Sequence, residues 1–334
     1  MPKVLIATPT LAGLEGAFTD LLRREGFDVV HPRQRKVLTE PELLGELRGV
    51  SACIAGFEPY TRRVIESSPE LRVIARNGVG YDAVDLAAAT EHGIPVTVTP
   101  GANHESVAEH AFALLLAVAR AVVPQNSALH AGGWRREAGV NLRGRTLGLV
   151  GLGRIGREMA QRAAAFRMKI LAYEPFPDAA FVAQHQIALM PLDQLLAESD
   201  FVSLHVPLSP ESKNMIDARA LRLMKPTAFL INTARGGVVC ENSLAEALRE
   251  GRLAGAGLDV FAEEPPPAGH PLLAFENVVC TAHAAGIDLK ARDDMAQLAA
   301  SAIVTLCRGE WPADQVVNPQ CRQKFEARYR GAPR

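Results

Sequence analysis

The chain has 334 residues, of which 48% are hydrophobic and 22% are charged, and its formal net charge at pH 7 is −1. This length predicts two domains with large cores, and the composition excludes an intrinsically disordered chain. A near-neutral charge argues against a nucleic-acid-binding role, for which a basic face would be expected. The short basic clusters at 33–36 and 322–334 are typical of solvated surface and of a chain terminus.

The five cysteines are odd in number and widely spaced, and no C-x-x-C pair occurs. This pattern favours buried thiols in a reducing compartment over a disulfide framework or a zinc site, so no metal is expected. The first residues are interrupted by Pro9 too early for a signal peptide. The longest apolar stretch, 111–123, contains Arg120 and is too short to cross a bilayer. We therefore expect a cytoplasmic protein with neither a membrane nor a nucleic acid as its partner.

The first hundred residues alternate short strands with short helices. Strands are predicted at 4–7, 28–31, 52–56, 73–75 and 95–98, and helices at 11–25, 40–48, 61–67 and 86–91. This alternation predicts a parallel sheet with helices on both faces. The turn Thr99-Pro100-Gly101 ends the series, and one long apolar helix is predicted over 103–129, with a division near Pro124.

The most informative stretch begins a second series. An apolar strand at 146–150 runs directly into Gly151-x-Gly153-x-x-Gly156, and a helical segment follows. Strand, glycine turn and helix in this order are typical of a dinucleotide phosphate site, in which the helix N-terminus faces the pyrophosphate. A second strand, 169–173, closes the βαβ unit and ends at Glu174. An acidic residue there can accept both ribose hydroxyls of NAD and would repel the 2′-phosphate of NADP, so NAD is the expected cofactor.

Further strands are predicted at 201–206, 228–231, 255–259 and 277–281, which completes a full Rossmann domain. A last helix, 291–307, leads into a proline-containing tail, which is expected to pack back on the first series. The fold class is therefore α/β with two Rossmann-like domains. A discontinuous, flavodoxin-like substrate domain would comprise 1–100 and 288–334, and an inserted NAD-binding Rossmann domain would comprise 101–287.

Three side chains follow predicted strands of the second series and suit hydride transfer to a keto acid. Arg235 lies in a glycine-rich loop, where its guanidinium could grip a carboxylate with two hydrogen bonds. His283 follows the strand at 277–281 and could act as the general acid/base. Glu264, if it meets His283, would stabilise the imidazolium. Taken alone, Arg235 could equally be a surface residue of a turn, and a lone histidine is more often structural than catalytic.

Several motifs in register resemble the D-isomer-specific 2-hydroxyacid dehydrogenase family, which includes D-3-phosphoglycerate dehydrogenases and glyoxylate/hydroxypyruvate reductases. The matching segments are ARNGVGYDAVD at 75–85, SVAEHAFALLLA at 106–117, GLGRIG at 151–156, HVPLSPESKNMI at 205–216, NTARGG at 232–237, GLDVFAEEP at 257–265 and His283. They extend over nearly all of the predicted coenzyme domain and part of the first.

The resemblance implies that Arg235, Glu264 and His283 are catalytic. His283 would exchange a proton with the substrate oxygen, Glu264 would orient the imidazole, and Arg235 would bind the carboxylate and carbonyl. Besides Arg235 and His283, the implied substrate-binding residues are Asn77, Gly78, Val79 and Gly80. Their backbone N–H groups would complete the carboxylate site, because the two glycines leave these amides accessible.

The resemblance also extends the coenzyme site beyond the glycine turn and Glu174. The full predicted set is Val79, Ser106, Gly151, Gly153, Arg154, Ile155, Gly156, Glu174, His205, Val206, Pro207, Thr233, Ala234, Arg235, Asp259, His283, Ala285 and Gly286. Within it, His205, Val206 and Pro207 would lie beside the adenine, and Asp259 would lie near the nicotinamide ring.

The sequence departs from the family pattern at two positions. Ala282 stands where a proline often precedes the catalytic histidine, and Glu174 stands where an aspartate is usual. Formate dehydrogenase relatives carry glutamine at the Glu264 position, so formate is not expected as the substrate. In the family, the dimer is built from the long helix that follows the first domain. The apolar helix predicted at 103–129, with Trp134 after it, therefore predicts a homodimer. Burial of that helix within the monomer is the alternative.

The predicted function is an NAD-dependent D-2-hydroxyacid dehydrogenase that works mainly as a 2-keto acid reductase. The substrate would be of the 3-phosphoglycerate or the glyoxylate/hydroxypyruvate type. Phosphorylated substrates would require extra basic residues in the pocket, and Arg62, Arg63, Arg72 and Arg76 are candidates. Two alternatives share these motifs: an NAD-sensing binding protein of the corepressor type, and a phosphite dehydrogenase.

Overall fold

The computed structural model describes residues 1–329 and divides the chain into two compact units. The first unit comprises Met1–Asn103 and Ile287–Arg334, and the second comprises His104–Gly286. Residues 330–334, which belong to the predicted substrate domain, lie outside the described residues.

The first unit contains a five-stranded parallel sheet. Its strands are β1 (Lys3–Ile6), β2 (Asp28–Val30), β3 (Val50–Ala55), β4 (Val73–Arg76) and β5 (Val96–Thr97). Their spatial order, β2-β1-β3-β4-β5, is the flavodoxin-like order expected for this part of the chain. The helices between them are α1 (Ala17–Arg24), α2 (Glu40–Glu46), α3 (Arg62–Glu66) and α4 (Leu86–Glu91).

Local sequence explains where these helices start. The side chains of Thr61 and Asp85 accept hydrogen bonds from Val64 N and Ala88 N, and Thr39 forms a capping box with Glu42. The predicted helix at 11–25 begins only at Ala17, after a short 3-10 turn. Gly13 adopts a φ of +71°, a left-handed conformation that interrupts a helix.

The second unit begins with α5 (His104–Ala119) and α6 (Val122–His130), where a long helix divided near Pro124 was predicted. The division lies at Ala121, which has a φ of +49°, shortly before Pro124. Pro124 occupies the first turn of α6, where its missing N–H leaves no helical hydrogen bond unmade. Helix α5 is largely buried against three later elements of its own unit, at 154–165, 229–232 and 255–258, whereas α6 has no buried residue.

A seven-stranded parallel sheet forms the rest of the second unit. Its strands are β6 (Thr146–Val150), β7 (Lys169–Tyr173), β8 (Ala188–Leu189), β9 (Phe201–Leu204), β10 (Phe229–Asn232), β11 (Gly255–Leu258) and β12 (Val278–Cys280). The helices are α7 (Arg154–Ala165), α8 (Ala179–Gln184), α9 (Leu192–Glu198), α10 (Ala218–Leu223) and α11 (Glu241–Arg249). The spatial order β12-β11-β10-β9-β6-β7-β8 is that of a Rossmann sheet with one additional strand. Strand β8 was not predicted, because two exposed residues carry no strand periodicity.

The chain then returns to the first unit through α12 (Leu289–Cys307) and α13 (Arg322–Tyr329). Asp288 caps α12 by accepting from Ala291 N. The helix packs on α1, β3 and β4, and its alanine-rich face joins the core around Ile6, Leu22 and Ile54. Within residues 1–329, no single helix is both long and apolar enough to cross a membrane; α5 and α6 meet that test only as a pair, bent by 66°.

Candidate active site

The glycine turn after β6 has the features that a dinucleotide phosphate site requires. Gly151 has a φ of +98°, and a Cβ there would come within 2.8 Å of the His205 carbonyl oxygen. A Cβ on Gly156 would lie 2.2 Å from the Gly151 carbonyl oxygen, so α7 packs tightly against the turn. Gly153 caps α7 and has open space where its Cβ would be. The amides at the start of α7, from Arg154 and Ile155, therefore border a space that a pyrophosphate can fill.

Glu174 follows β7, next to the glycine turn. Its carboxylate accepts hydrogen bonds from Leu152 N at 2.8 Å and from Phe176 N at 3.0 Å. The contact to Leu152 joins the acidic residue to the glycine turn itself. A negative charge thus lies at the position where a Rossmann site receives the adenosine ribose.

His205 follows β9 and faces the same turn. Its two ring nitrogens are buried and make no hydrogen bond within residues 1–329. Burial lowers the pKa of this imidazole to about 3, so the ring is neutral at physiological pH. Val206 packs beside Gly151, and the Pro207 carbonyl accepts from Ser212 Oγ at 2.6 Å. Buried ring nitrogens without a protein partner are consistent with a bound group on this side of the turn.

Arg235 lies in the loop after β10, and Asn232 shapes that loop. The Asn232 side chain accepts from Ala234 N at 3.0 Å and donates to Arg235 O at 2.9 Å. The next residue, Gly236, contacts the loop after β11: a Cβ there would lie 1.9 Å from the Phe261 carbonyl carbon. Only glycine permits this approach, so the loops after β10 and β11 are held together by their backbones. Thr233 is buried, and its hydroxyl makes no hydrogen bond within residues 1–329.

Glu264 and His283 are in direct contact. His283 Nδ1 lies 2.6 Å from Glu264 Oε2, and Glu264 Oε1 accepts from Phe261 N at 2.9 Å. Burial acts to raise the pKa of Glu264. The hydrogen bond and charge of His283, the Phe261 N–H and the charge of Arg235 together outweigh burial, so the pKa lies below its ordinary value. The structure thus brings His283 and Glu264 together and places the charge of Arg235 nearby.

The tautomer of His283 follows from this contact. An ionised carboxylate only accepts hydrogen bonds, so the Nδ1 of His283 carries a proton and donates it to Glu264. The second ring nitrogen, Nε2, is then the one that can exchange a proton with a reacting group.

His283 itself adopts a left-handed backbone conformation, with a φ of +49°. For a residue with a Cβ this conformation costs about 1–2 kcal/mol, and it persists where surrounding contacts impose it. Asp259 supplies these contacts: its backbone carbonyl accepts from His283 N at 2.8 Å, and its side chain accepts from Ala284 N at 2.8 Å and Ala285 N at 2.9 Å. Gly286 is the last residue of the second unit.

The four other predicted substrate residues lie in the first unit, in the loop after β4. Asn77 N donates to Ala55 O, and the Gly78 carbonyl, on a residue with a φ of 150°, accepts from Thr99 N. Within residues 1–329, the N–H groups of Gly78, Val79 and Gly80 make no hydrogen bond. Three backbone donors are therefore available to an anion.

The structure gives different surroundings to the four candidate arginines. Arg62 pairs with Glu91 at 2.6 Å and Arg63 with Glu40 at 3.6 Å, while Arg72 precedes β4 and lies at the opposite sheet edge from the loop. Arg76 is 4% exposed; its Nε donates to Gly80 O at 2.8 Å, and its guanidinium carbon lies 5.8 Å from the Phe57 ring centroid. Arg76 thus braces the loop that contains Gly78 and Gly80.

Comparison with known proteins assigns the family. Residues 112–285 match the family model for the NAD binding domain of D-isomer specific 2-hydroxyacid dehydrogenases. The chain is 46% identical to a glyoxylate reductase of Korarchaeum cryptofilum over 265 residues, which cover 78% of this chain and 80% of that protein. The chain belongs to the D-isomer-specific 2-hydroxyacid dehydrogenase family. It is therefore an NAD-dependent oxidoreductase, and its substrates are small 2-hydroxy or 2-keto acids.

Two further relatives of this dehydrogenase are similar to it over nearly its whole length. A crystal structure of a protein from Thermus thermophilus superimposes with a TM-score of 0.86, at 39% identity, and covers 95% of this chain and all of that one. A D-3-phosphoglycerate dehydrogenase of Archaeoglobus fulgidus is 37% identical over 95% of this chain but only 59% of its own length. The family, the two-sheet fold and the NAD cofactor predicted from the sequence are confirmed.

Sequence reasoning missed several residues that position this dehydrogenase's site. Glu241, on α11, accepts from Ala262 N at 2.8 Å and contacts His270 Nε2 at 3.2 Å, and so holds the loop that ends at Glu264. His110 and Thr281 contact one another at 2.9 Å and lie behind Asp259. His110 and Thr281 lie inside or beside motifs already quoted, but no spacing rule relates residues 171 positions apart. Ser106, the remaining predicted coenzyme residue, lies in the first turn of α5.

Glu174 gives a test of coenzyme selectivity. We expect Glu174→Gln to lower the ratio of the NADPH to the NADH dissociation constant by about tenfold, because a carboxylate that repels the 2′-phosphate is removed. Coenzyme fluorescence titration measures both constants. Glu246→Gln, on the exposed face of α11, is the matched control and should leave the ratio unchanged. An unaltered ratio in Glu174→Gln would refute the placement of the carboxylate beside the ribose.

Proposed function

We propose that this dehydrogenase works mainly as an NADH-dependent reductase of small 2-keto acids of the glyoxylate/hydroxypyruvate type, with Arg235, Glu264 and His283 as its catalytic residues. The single observation that carries the proposal is the 2.6 Å contact between His283 Nδ1 and Glu264 Oε2. A histidine fixed by a carboxylate at the carboxyl edge of a Rossmann sheet is the arrangement that proton exchange with a substrate hydroxyl requires.

The reaction divides between three side chains. Protonated His283 donates the Nε2 proton to the keto oxygen, and neutral His283 accepts it in the reverse direction. Glu264 holds the charged imidazole in place, because its carboxylate accepts the Nδ1 proton throughout. Arg235 binds the substrate carboxylate and polarises the carbonyl, since a guanidinium offers two parallel donors to a carboxylate.

The coenzyme supplies the hydride that is transferred to the carbonyl carbon. The glycine turn at 151–156, with Arg154 and Ile155, would hold its pyrophosphate, and Glu174 its adenosine ribose. His205, Val206 and Pro207 would border the adenine. Thr233, Ala234 and Asp259 would contact the nicotinamide half, together with Ala285 and Gly286, while Val79 and Ser106 are further proposed coenzyme contacts.

The amides of Gly78, Val79 and Gly80 are proposed as carboxylate-binding donors of the first unit. The side chain of the substrate is expected to be small and without a phosphate. Two observations support this: Arg62 and Arg63 pair with carboxylates of their own unit, and the buried Arg76 donates to Gly80 O. The glyoxylate reductase name of the relative at 46% identity points to the same class.

A panel of keto acids tests the proposed function. NADH oxidation is measured with glyoxylate, hydroxypyruvate and 3-phosphohydroxypyruvate, and kcat/KM is expected to be highest for one of the first two. His283→Ala should lower kcat by about 10²–10⁴-fold, and Arg235→Ala should both raise KM and lower kcat, because carboxylate binding and carbonyl polarisation are lost together. No oxidation with any keto acid would favour a coenzyme-sensing binding protein. NAD reduction by phosphite would instead identify a phosphite dehydrogenase.

The pH dependence of keto acid reduction tests Glu264. The pKa of Glu264 is depressed, so its carboxylate stays ionised to lower pH than an ordinary glutamate and stabilises the imidazolium of His283. In Glu264→Gln that charge is lost, so we expect the pH at which kcat declines on the alkaline side to move down by about one unit. The full pH profile of kcat measures this shift, and Glu263→Gln, at the neighbouring residue, is the control. An unshifted profile in Glu264→Gln would contradict the orienting role.

We further propose a homodimer, with α6 and the segment after it as the contact. Helix α5 is largely buried in the core of its own unit. The two-fold contact that the sequence predicted over 103–129 is therefore proposed only for α6, the second half of that segment. Val122, Val123 and Leu129 are exposed, and Trp134 is 80% exposed. Neighbouring apolar side chains at the surface mark a protein contact.

Light scattering tests the dimer. We expect a mass about twice the 35.9 kDa of the chain, and we expect the double substitution Val123→Glu with Trp134→Glu to shift it toward the monomer, because two charges would be buried at the contact. Phe176→Glu, at an exposed aromatic residue away from α6, is the control. A wild-type mass of one chain would contradict the dimer.

A further inference from the structure

A chain of hydrogen bonds runs behind His283. Thr281 Oγ1 lies 2.5 Å from Asp259 Oδ1, and on its other side it lies 2.9 Å from His110 Nε2. Asp259 is fully buried, and the amides of Ala284 and Ala285 also point at its carboxylate. One carboxylate thus connects α5, the end of β12 and the two residues after His283.

The direction of each proton in this chain can be assigned. The Asp259 carboxylate only accepts, so Thr281 donates its single hydroxyl proton to Oδ1. The Thr281 oxygen is then left as an acceptor, and it receives Nε2–H from His110. His110 Nε2 also lies 3.6 Å from Asp259 Oδ1, so its positive end faces the buried carboxylate.

The loop needs such support because of its conformation. His283 has a φ of +49° and is not a glycine, so an external constraint must hold it there. The His283, Ala284 and Ala285 amides all donate to Asp259. Whatever fixes the Asp259 carboxylate therefore fixes the direction in which the His283 ring leaves the backbone.

We infer that His110 and Thr281 are positioning residues for His283: they lock the Asp259 carboxylate, which in turn holds the strained His283–Ala285 turn. Neither residue is assigned a contact with the reacting atoms. The consequence for the reaction rests on the proposed function, whereas the consequence for the turn does not.

Two pairs of variants separate the hydrogen bonds from mere packing. Thr281→Val keeps the shape and removes the hydroxyl, and Thr281→Ser keeps the hydroxyl. His110→Leu removes the donor at similar length, and His110→Gln retains an N–H donor. Thr305→Val, on α12 in the other unit, controls for the general effect of replacing a threonine.

Hydrogen exchange of the backbone amides, measured on the protein without coenzyme or substrate, reports directly on the stability of the His283–Ala285 turn. For a peptide covering 281–286, we expect Thr281→Val and His110→Leu to raise the exchange rate by roughly tenfold, because the amides of the turn lose their fixed acceptor. Thr281→Ser and His110→Gln should stay within about twofold of the wild type. The thermal unfolding midpoint of each variant is measured as well. An unchanged midpoint shows that an increase in the exchange rate is confined to the turn.

Steady-state kinetics then measure the effect of the same variants on the reaction. With the best keto acid of the panel, kcat should fall about tenfold or more in Thr281→Val while KM changes little, because a displaced imidazole slows proton transfer without weakening carboxylate binding. Thr281→Ser should restore kcat. The inference is overturned if Thr281→Val leaves the exchange of 281–286 unchanged, or if Thr281→Ser impairs exchange and kcat as much as valine does. If wild-type protein reduces no keto acid, the proposed function fails, while hydrogen exchange still decides the positioning role.

Discussion

The buried carboxylate of Asp259 is the constraint on which the geometry of the candidate site depends. A charge without solvent contact costs several kcal/mol unless donors surround it, and here the donors are the Thr281 hydroxyl and the amides of Ala284 and Ala285. Satisfying the carboxylate therefore requires the chain after β12 to curl around it. That curl places His283 in a left-handed conformation and aims its ring at Glu264, so the electrostatic requirement of one residue sets the orientation of the next.

The order of strands in the larger sheet explains how residues far apart in sequence come together. Arg235 follows β10, Asp259 and Glu264 follow β11, and His283 follows β12, and these three strands are adjacent. The glycine turn follows β6, which lies on the other side of β9. Since parallel strands bring all their carboxyl ends to one edge, the groups proposed for phosphate binding and for proton exchange share that edge without any sequence proximity.

Much of this was accessible from the sequence, for identifiable reasons. The strand, glycine turn and helix at 146–165 are encoded locally, because Gly151 and Gly156 permit close backbone contacts and Gly153 leaves open space at the start of α7. The acidic residue after β7 follows from the same unit. What the sequence did not reveal depends on tertiary contacts: the contacts of His110, Thr281 and Glu241 are hydrogen bonds across 21 to 171 positions. Such partners have no periodicity or spacing that could identify them beforehand.

The proposed catalytic residues are confined to one of the two units. The proposed catalytic residues all lie between 104 and 286, in loops locked by backbone contacts such as that of Gly236 with Phe261. Phe57 and Arg76, in contrast, lie in the first unit at the ends of β3 and β4. A locked catalytic frame tolerates few changes, whereas exposed loop residues such as Phe57 can vary without loss of folding. The chain resembles both a glyoxylate reductase and a D-3-phosphoglycerate dehydrogenase, as is expected where relatives share a rigid site and differ in a few exposed loop side chains.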